Sequence, residues 1–174
     1  NLTWKSDGEV RINELSHVPS DIDDISYNYE TMMQSTSRHR DLLGHLPFKG
    51  WVKYPIMIAM QCRGCIYHCL TCGGSAEAFR TVCGRESPAF RSPERITEDI
   101  RLISRYFNGP IILIGDFLQS GRKYAHDLLD GLQSIRVKNH IAVEFFSPPS
   151  KDILTRLAQA VPSFNIQISP ESHD

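Results

Sequence analysis

The sequence has no excess of charge of either sign: nineteen lysines and arginines face twenty aspartates and glutamates, a formal net charge of −1. A chain so balanced carries no global basic field, which argues against nucleic acid or an anionic membrane surface as its general partner. Long apolar runs are missing too. The longest are strand-sized, such as residues 56–60 and 111–114, far from the roughly 20 residues of a membrane span. No signal-peptide pattern opens the chain. These absences lead to the expectation of a cytoplasmic protein with no membrane partner. The chain also lacks an initiator methionine, starting at Asn1, as expected of a cut-out fragment or of a processed chain. What is present, 174 residues with 41% hydrophobic, is enough for one globular core and no more than one large domain.

Cysteine is scarce everywhere except in one stretch. Four of the five fall in residues 62–75, CRGCIYHCLTCGGS. Thiols at this density have three common readings: a disulfide framework, a zinc site or an iron–sulfur cluster. Cys62, Cys65, Cys69 and Cys72 are too close in sequence to staple distant elements, and the chain does not resemble a secreted mini-protein. All four together supply the thiolates of a closed tetrahedral zinc site, although only three residues separate the two Cys-x2-Cys arms. The subset Cys65, Cys69 and Cys72 reads Cys-x3-Cys-x2-Cys and supplies three thiolates to a cubane cluster, leaving one iron without a protein ligand. An open coordination position separates a catalytic metal site from a structural one.

Followed by Gly73, Gly74 and Ser75, this spacing resembles the signature of the radical SAM superfamily. The resemblance implies a 4Fe-4S cluster on Cys65, Cys69 and Cys72, with S-adenosylmethionine chelating the open iron through its amino and carboxylate groups. It implies that the Gly73-Gly74-Ser75 turn offers backbone carbonyls to that amino group, a close approach suited to glycine. Where the family usually has an aromatic residue, this chain has Thr71, whose backbone would read the adenine edge while Tyr67 supplies an aromatic face. The reaction implied is reductive cleavage to a 5′-deoxyadenosyl radical, fed by an electron donor such as a flavodoxin or ferredoxin. Cys62 stands outside the triad, as does Cys83.

Residues 1–54 read as an N-terminal hairpin, turning at Asp7-Gly8, and an irregular interdomain connecting segment whose charge clusters are solvated. Residues 55–174 read as the core domain. A buried strand at 56–60 leads directly into the cysteine loop. Ser92 and Pro93 open a helix with Ile96, Ile100, Ile103 and Phe107 on one face. Residues 111–114 form a continuous apolar run, as expected of a parallel strand covered on both faces. A helix at 121–136 follows, in which Gly131 costs about 1 kcal/mol against alanine. Then come a strand at 141–146, a helix at 149–160 and a strand at 164–169. The fold class expected is α/β: a partial parallel (β/α) barrel, stopping after four strands where the resemblance implies about six strand–helix units. Such a piece is expected to self-associate through its open edge and to turn over little substrate.

In the last strand Asn165, Gln167 and Ser169 alternate with apolar residues, so that face lines the expected cavity. Glu144, inside an apolar strand, is either a paired core carboxylate or a cofactor ligand. The segments FRSPERITEDI (90–100), EFFSPP (144–149) and ISPESHD (168–174) resemble the radical SAM branch that often carries an upstream cobalamin-binding domain. That likeness brings in cobalamin through a domain this chain lacks, and makes Ser169 and Glu171 contacts to the ribose or methionine of the cofactor. The alternative is that these two, like Asp116, are turn and capping residues. His68 and His173 read as surface or loop residues. The contrasting reading of the whole is a structural or interaction module folded around zinc by four cysteines. Neither reading names a substrate.

Overall fold

The computed structural model describes residues 2–25, 28–40, 50 and 53–169. In chain order the elements are β1 (Thr3–Ser6), β2 (Glu9–Ile12), α1 (Tyr29–His39), β3 (Met57–Met60), β4 (Cys62–Arg63), α2 (Ala76–Cys83), β5 (Ala89–Phe90) and α3 (Pro93–Tyr106). They continue with β6 (Ile111–Ile114), a 3-10 turn at Phe117–Ser120, α4 (Arg122–Ser134), β7 (Ile141–Phe145), α5 (Lys151–Ala160) and β8 (Phe164–Ile168). The chain divides into two compact units, one of Asn1–Ile22 with Cys62–Phe90 and one of Asp23–Gln61 with Arg91–Asp174.

In the first unit β1 and β2 pair antiparallel, Ser6 opposite Glu9. Asp7 and Gly8 both have positive φ, 54° and 86°, as a two-residue hairpin turn with the right twist requires. A second, very short ladder joins β4 to β5, with Cys62 opposite Phe90 and Arg63 opposite Ala89. The cysteine loop and α2 lie between those two strands.

The second unit is built on a four-stranded sheet in the order β3-β6-β7-β8, with every pair parallel. Parallel neighbours need crossover connections, and α4 and α5 supply two of them. Side chains that point to one face of the sheet, Ala59, Ile111, Leu113, Ile141, Val143 and Phe145, are all buried. They pack with Ile96, Ile100 and Ile103 of α3, the Leu128, Leu129 and Leu132 stripe of α4, and Ile153 and Leu157 of α5. Each such side chain contributes roughly 1.5 to 3 kcal/mol by leaving water. Phe117 meets the ring of Phe145 edge-on, with centroids 5.1 Å apart.

Three expectations need correction. The segment expected to be irregular contains α1, capped by Asn28, whose Oδ1 accepts from the Thr31 N–H at 2.9 Å. The strand at 111–114 is covered on one face only: Ile114 is 40% exposed, and on the same face Ile58 and Met60 of β3 are 45% and 42% exposed. Phe107 is not part of the α3 stripe but its C-cap, in extended conformation. The mixed α/β class with a parallel sheet stands, as does the polar alternation of β8, where Asn165 and Gln167 are exposed.

Candidate metal centre

The cysteine loop starts from β4 and turns at Gly64, where φ is +104° and a Cβ would come within 2.9 Å of the Pro88 Cα. Only glycine fits that turn without strain. Beyond it the chain is tied down by backbone bonds: Cys72 N–H to Cys69 O at 3.3 Å, Ser75 N–H to Cys72 O at 3.1 Å, and Ala76 N–H to Tyr67 O at 2.7 Å. Cys65 Sγ accepts from the Tyr67 N–H and Cys72 Sγ from the Gly74 N–H, each at 3.4 Å. Hydrogen bonds to sulfur tune a bound cluster.

Ser75 closes the loop. It is buried, and its Oγ accepts from the Ala78 N–H at 3.2 Å, which makes it the N-cap of α2. Its hydroxyl thus starts a helix, an element the sequence reading missed although a serine cap and Gly84 as left-handed terminator were there to be read, and the Ser75 carbonyl accepts from the Phe79 N–H at 3.0 Å. The N-terminal end of α2 carries partial positive charge, which favours an anion nearby, and Cys72 lies three residues before the cap. Thr71 and Gly73 are exposed, and Gly74 is half-buried.

No cysteine is in a disulfide, and all five are thiols. Cys72 is exposed, and Cys65, Cys69, Cys62 and Cys83 are half-buried. Among the described residues no three His, Cys, Asp or Glu side chains converge so as to hold an ion. The fit to a cluster therefore lies in the donor chemistry, three thiols within eight residues with N–H groups aimed at sulfur. Cys62 stands apart, in β4, with its thiol 3.9 Å from the Gly64 carbonyl.

In the second unit Glu144 and Ser169 meet: the Ser169 hydroxyl donates to Glu144 Oε1 at 3.0 Å, and the Gln167 amide donates to Ser169 Oγ at 3.4 Å. Glu144 is half-buried and lines a groove of about 330 Å³ with Ile112, Ala142, Asn165, Ile166 and Gln167. Nothing in that lining is cationic, so the groove offers acceptors and amides. Asp116, 2% exposed, takes the capping role considered for it. One carboxylate oxygen accepts from the Leu118 N–H at 2.8 Å and the other from the Phe146 N–H at 3.0 Å, which ties the carboxyl end of β6 to that of β7. Burial pushes its carboxyl above the usual aspartate range, and the charge of Glu144 adds to the push. Glu171 and His173 lie outside the described residues, and His68 is exposed. No family model, curated protein or solved structure matches this chain.

Proposed function

We propose that this chain is part of a radical SAM enzyme, acting on a substrate its sequence does not name. The observation that carries the reading is the triad Cys65, Cys69 and Cys72 followed by Gly73 and Gly74, on the segment that follows the parallel strand β3. Two further features support it. Neither glycine has a positive φ, and a Cβ at 73 would meet nothing within 4 Å while one at 74 would meet only Cys72 Sγ, at 3.7 Å. Local backbone geometry therefore gives no reason for two glycines, whereas close approach of a ligand does. The position of Cys62 in β4 supports three ligands rather than the four of a zinc module.

In this reading Cys65, Cys69 and Cys72 hold a 4Fe-4S cluster, and Thr71, Gly73, Gly74 and Ser75 bound the place of S-adenosylmethionine. When bound, the pair supplies an electron to the sulfonium and a 5′-deoxyadenosyl radical that removes a substrate hydrogen. The chain's own part is to hold Cys65 Sγ and Cys72 Sγ by backbone N–H bonds and to offer the carbonyls of Gly73 and Gly74 to an ammonium group. The resemblance assigns Ser169 and Glu171 to the cofactor, and Glu144, a carboxylate inside an apolar strand, is proposed as a further ligand of it. A barrel completed by further strands, a small electron-transfer protein as donor, cobalamin in an upstream domain and a place in the cytoplasm belong to the same proposal.

The test is a spectroscopic titration. Protein reconstituted with iron and sulfide without oxygen and then reduced is expected to change its electron paramagnetic resonance signal when S-adenosylmethionine is added. Gly74→Val is expected to keep the cluster signal and lose that change. A wild-type signal indifferent to S-adenosylmethionine would contradict the reading.

A further inference from the structure

The cysteine-bearing segment 62–90 leaves the second unit after Gln61 and returns to it at Arg91, and these two residues carry a buried polar cluster. Both side chains are buried, Gln61 fully and Arg91 to 3% exposure. The Arg91 N–H donates to the Gln61 carbonyl at 2.8 Å, one residue before the Cys62–Phe90 pair of the β4/β5 ladder. The guanidinium Nη1 binds Asp99, itself 4% exposed, and donates to the Met60 carbonyl at 3.4 Å. Gln61 Nε2 donates to the Gly115 carbonyl at the end of β6. Tyr124 of α4 donates to the Arg91 carbonyl at 2.6 Å, and the next N–H, of Ser92, donates to Asp23 at 2.6 Å.

This arrangement is costly. Arg91 Nε and Nη2 and Gln61 Oε1 are buried with no partner among the described residues, and a guanidinium so placed is poorly justified as a source of stability, since apolar residues of similar volume often do as well. What the cluster does achieve is geometric. Atoms of Met60, Asp99, Gly115 and Tyr124 converge on the two residues through which the 62–90 segment is attached, and hold them side by side.

We propose that Arg91 is a positioning residue for the cysteine loop: its buried pairing with Asp99 and Met60 holds the Gln61–Arg91 backbone bond, and that bond holds the register from which the loop starts. The benefit to a cluster rests on the functional reading above. The restraint itself does not, and can be measured without any metal.

The experiment uses the full chain without metal and follows amide hydrogen exchange by mass spectrometry, together with alkylation rates of individual cysteines. In Arg91→Met the peptides holding residues 62–64 and 88–90 are expected to exchange about tenfold faster and Cys65 and Cys69 to be alkylated faster, while β6 and β7 keep wild-type protection, as local opening requires. Arg91→Lys, which keeps a cation beside Asp99, is expected to recover part of the protection. Unchanged exchange at 62–64 and 88–90 in Arg91→Met would overturn the proposal, and so would equal loss of protection in β6 and β7. Should Arg91→Met not fold, Tyr124→Phe, which removes one hydrogen bond to the Arg91 carbonyl, is expected to loosen the same peptides to a smaller degree; no loosening there would be equally fatal. A wild type that takes up no cluster would sink the functional reading and leave the exchange comparison intact.

Discussion

Ser75 ends the cysteine loop and begins a helix with the same side chain. Removing its hydroxyl leaves the Ala78 N–H without a partner, and caps of this kind contribute about 1 kcal/mol. Ser75→Ala is therefore expected to lower stability by that amount in a denaturant titration and to loosen α2 in hydrogen exchange. Asp116 poses an electrostatic question. Because its folded carboxyl sits above the ordinary aspartate range, through burial first and Glu144 second, its contribution to stability is full below the unfolded value and is lost as pH rises through the folded one. Asp116→Asn is expected to remove that part of the pH dependence. It should also cost about 1 to 3 kcal/mol, since the amide replaces an acceptor oxygen by a donor facing one of two backbone N–H groups. Glu144→Gln should bring the Asp116 titration down toward its usual range, readable by carboxyl NMR. The cysteine triad was legible in the sequence because its spacing is local. The bond between Ser169 and Glu144, and the reach of Asp116 to Phe146, were not, since the partners lie 25 and 30 residues apart and meet only through strand register.

At the scale of elements, Gly131 was read from sequence as a weakness of α4. Its surroundings reverse that reading: a Cβ at 131 would run into Thr97 Oγ1, whose hydroxyl donates to the Pro93 carbonyl at 2.7 Å within α3. The glycine lets two helices approach closely. Gly131→Ala is thus expected to destabilise by about 1 to 3 kcal/mol through overpacking, despite its better helix propensity. Adding Thr97→Ala should recover much of the loss, a coupling that a double-mutant cycle measures directly. The strands and helices from β6 to β8 were legible because their apolar periods are strong and their caps, such as Ser92 with Pro93, are local. Helix α1 was not, because its sequence YETMMQSTSRH has no apolar stripe. Its quieter signals were Asn28 as cap, Glu30 in the first turn and Arg38 with His39 in the last, which complement the helix dipole. The coverage of β6 was misread because an unbroken apolar run says that both faces tolerate burial, not that both are buried.

Over the whole molecule, the chain visits two compact units and returns, so the cysteine segment is an excursion within the order of the sheet-bearing unit rather than a simple continuation of it. Contiguous reading of the sequence, which divides the chain at 54, follows motifs and has no access to that pattern of contacts. Among the described residues no helix is long and apolar enough to cross a membrane, which agrees with the short apolar runs. In the proposed function three cysteines, and not four, hold an iron–sulfur cluster. The most direct measurement of this is the iron and acid-labile sulfide content of the anaerobically reconstituted protein and its cysteine variants. About four of each per chain are expected in the wild type, in Cys62→Ala and in Cys83→Ala, with loss of both in Cys65→Ala, Cys69→Ala and Cys72→Ala. A colourless wild type holding one zinc, or a Cys62→Ala variant as empty of iron as the triad variants, would contradict it.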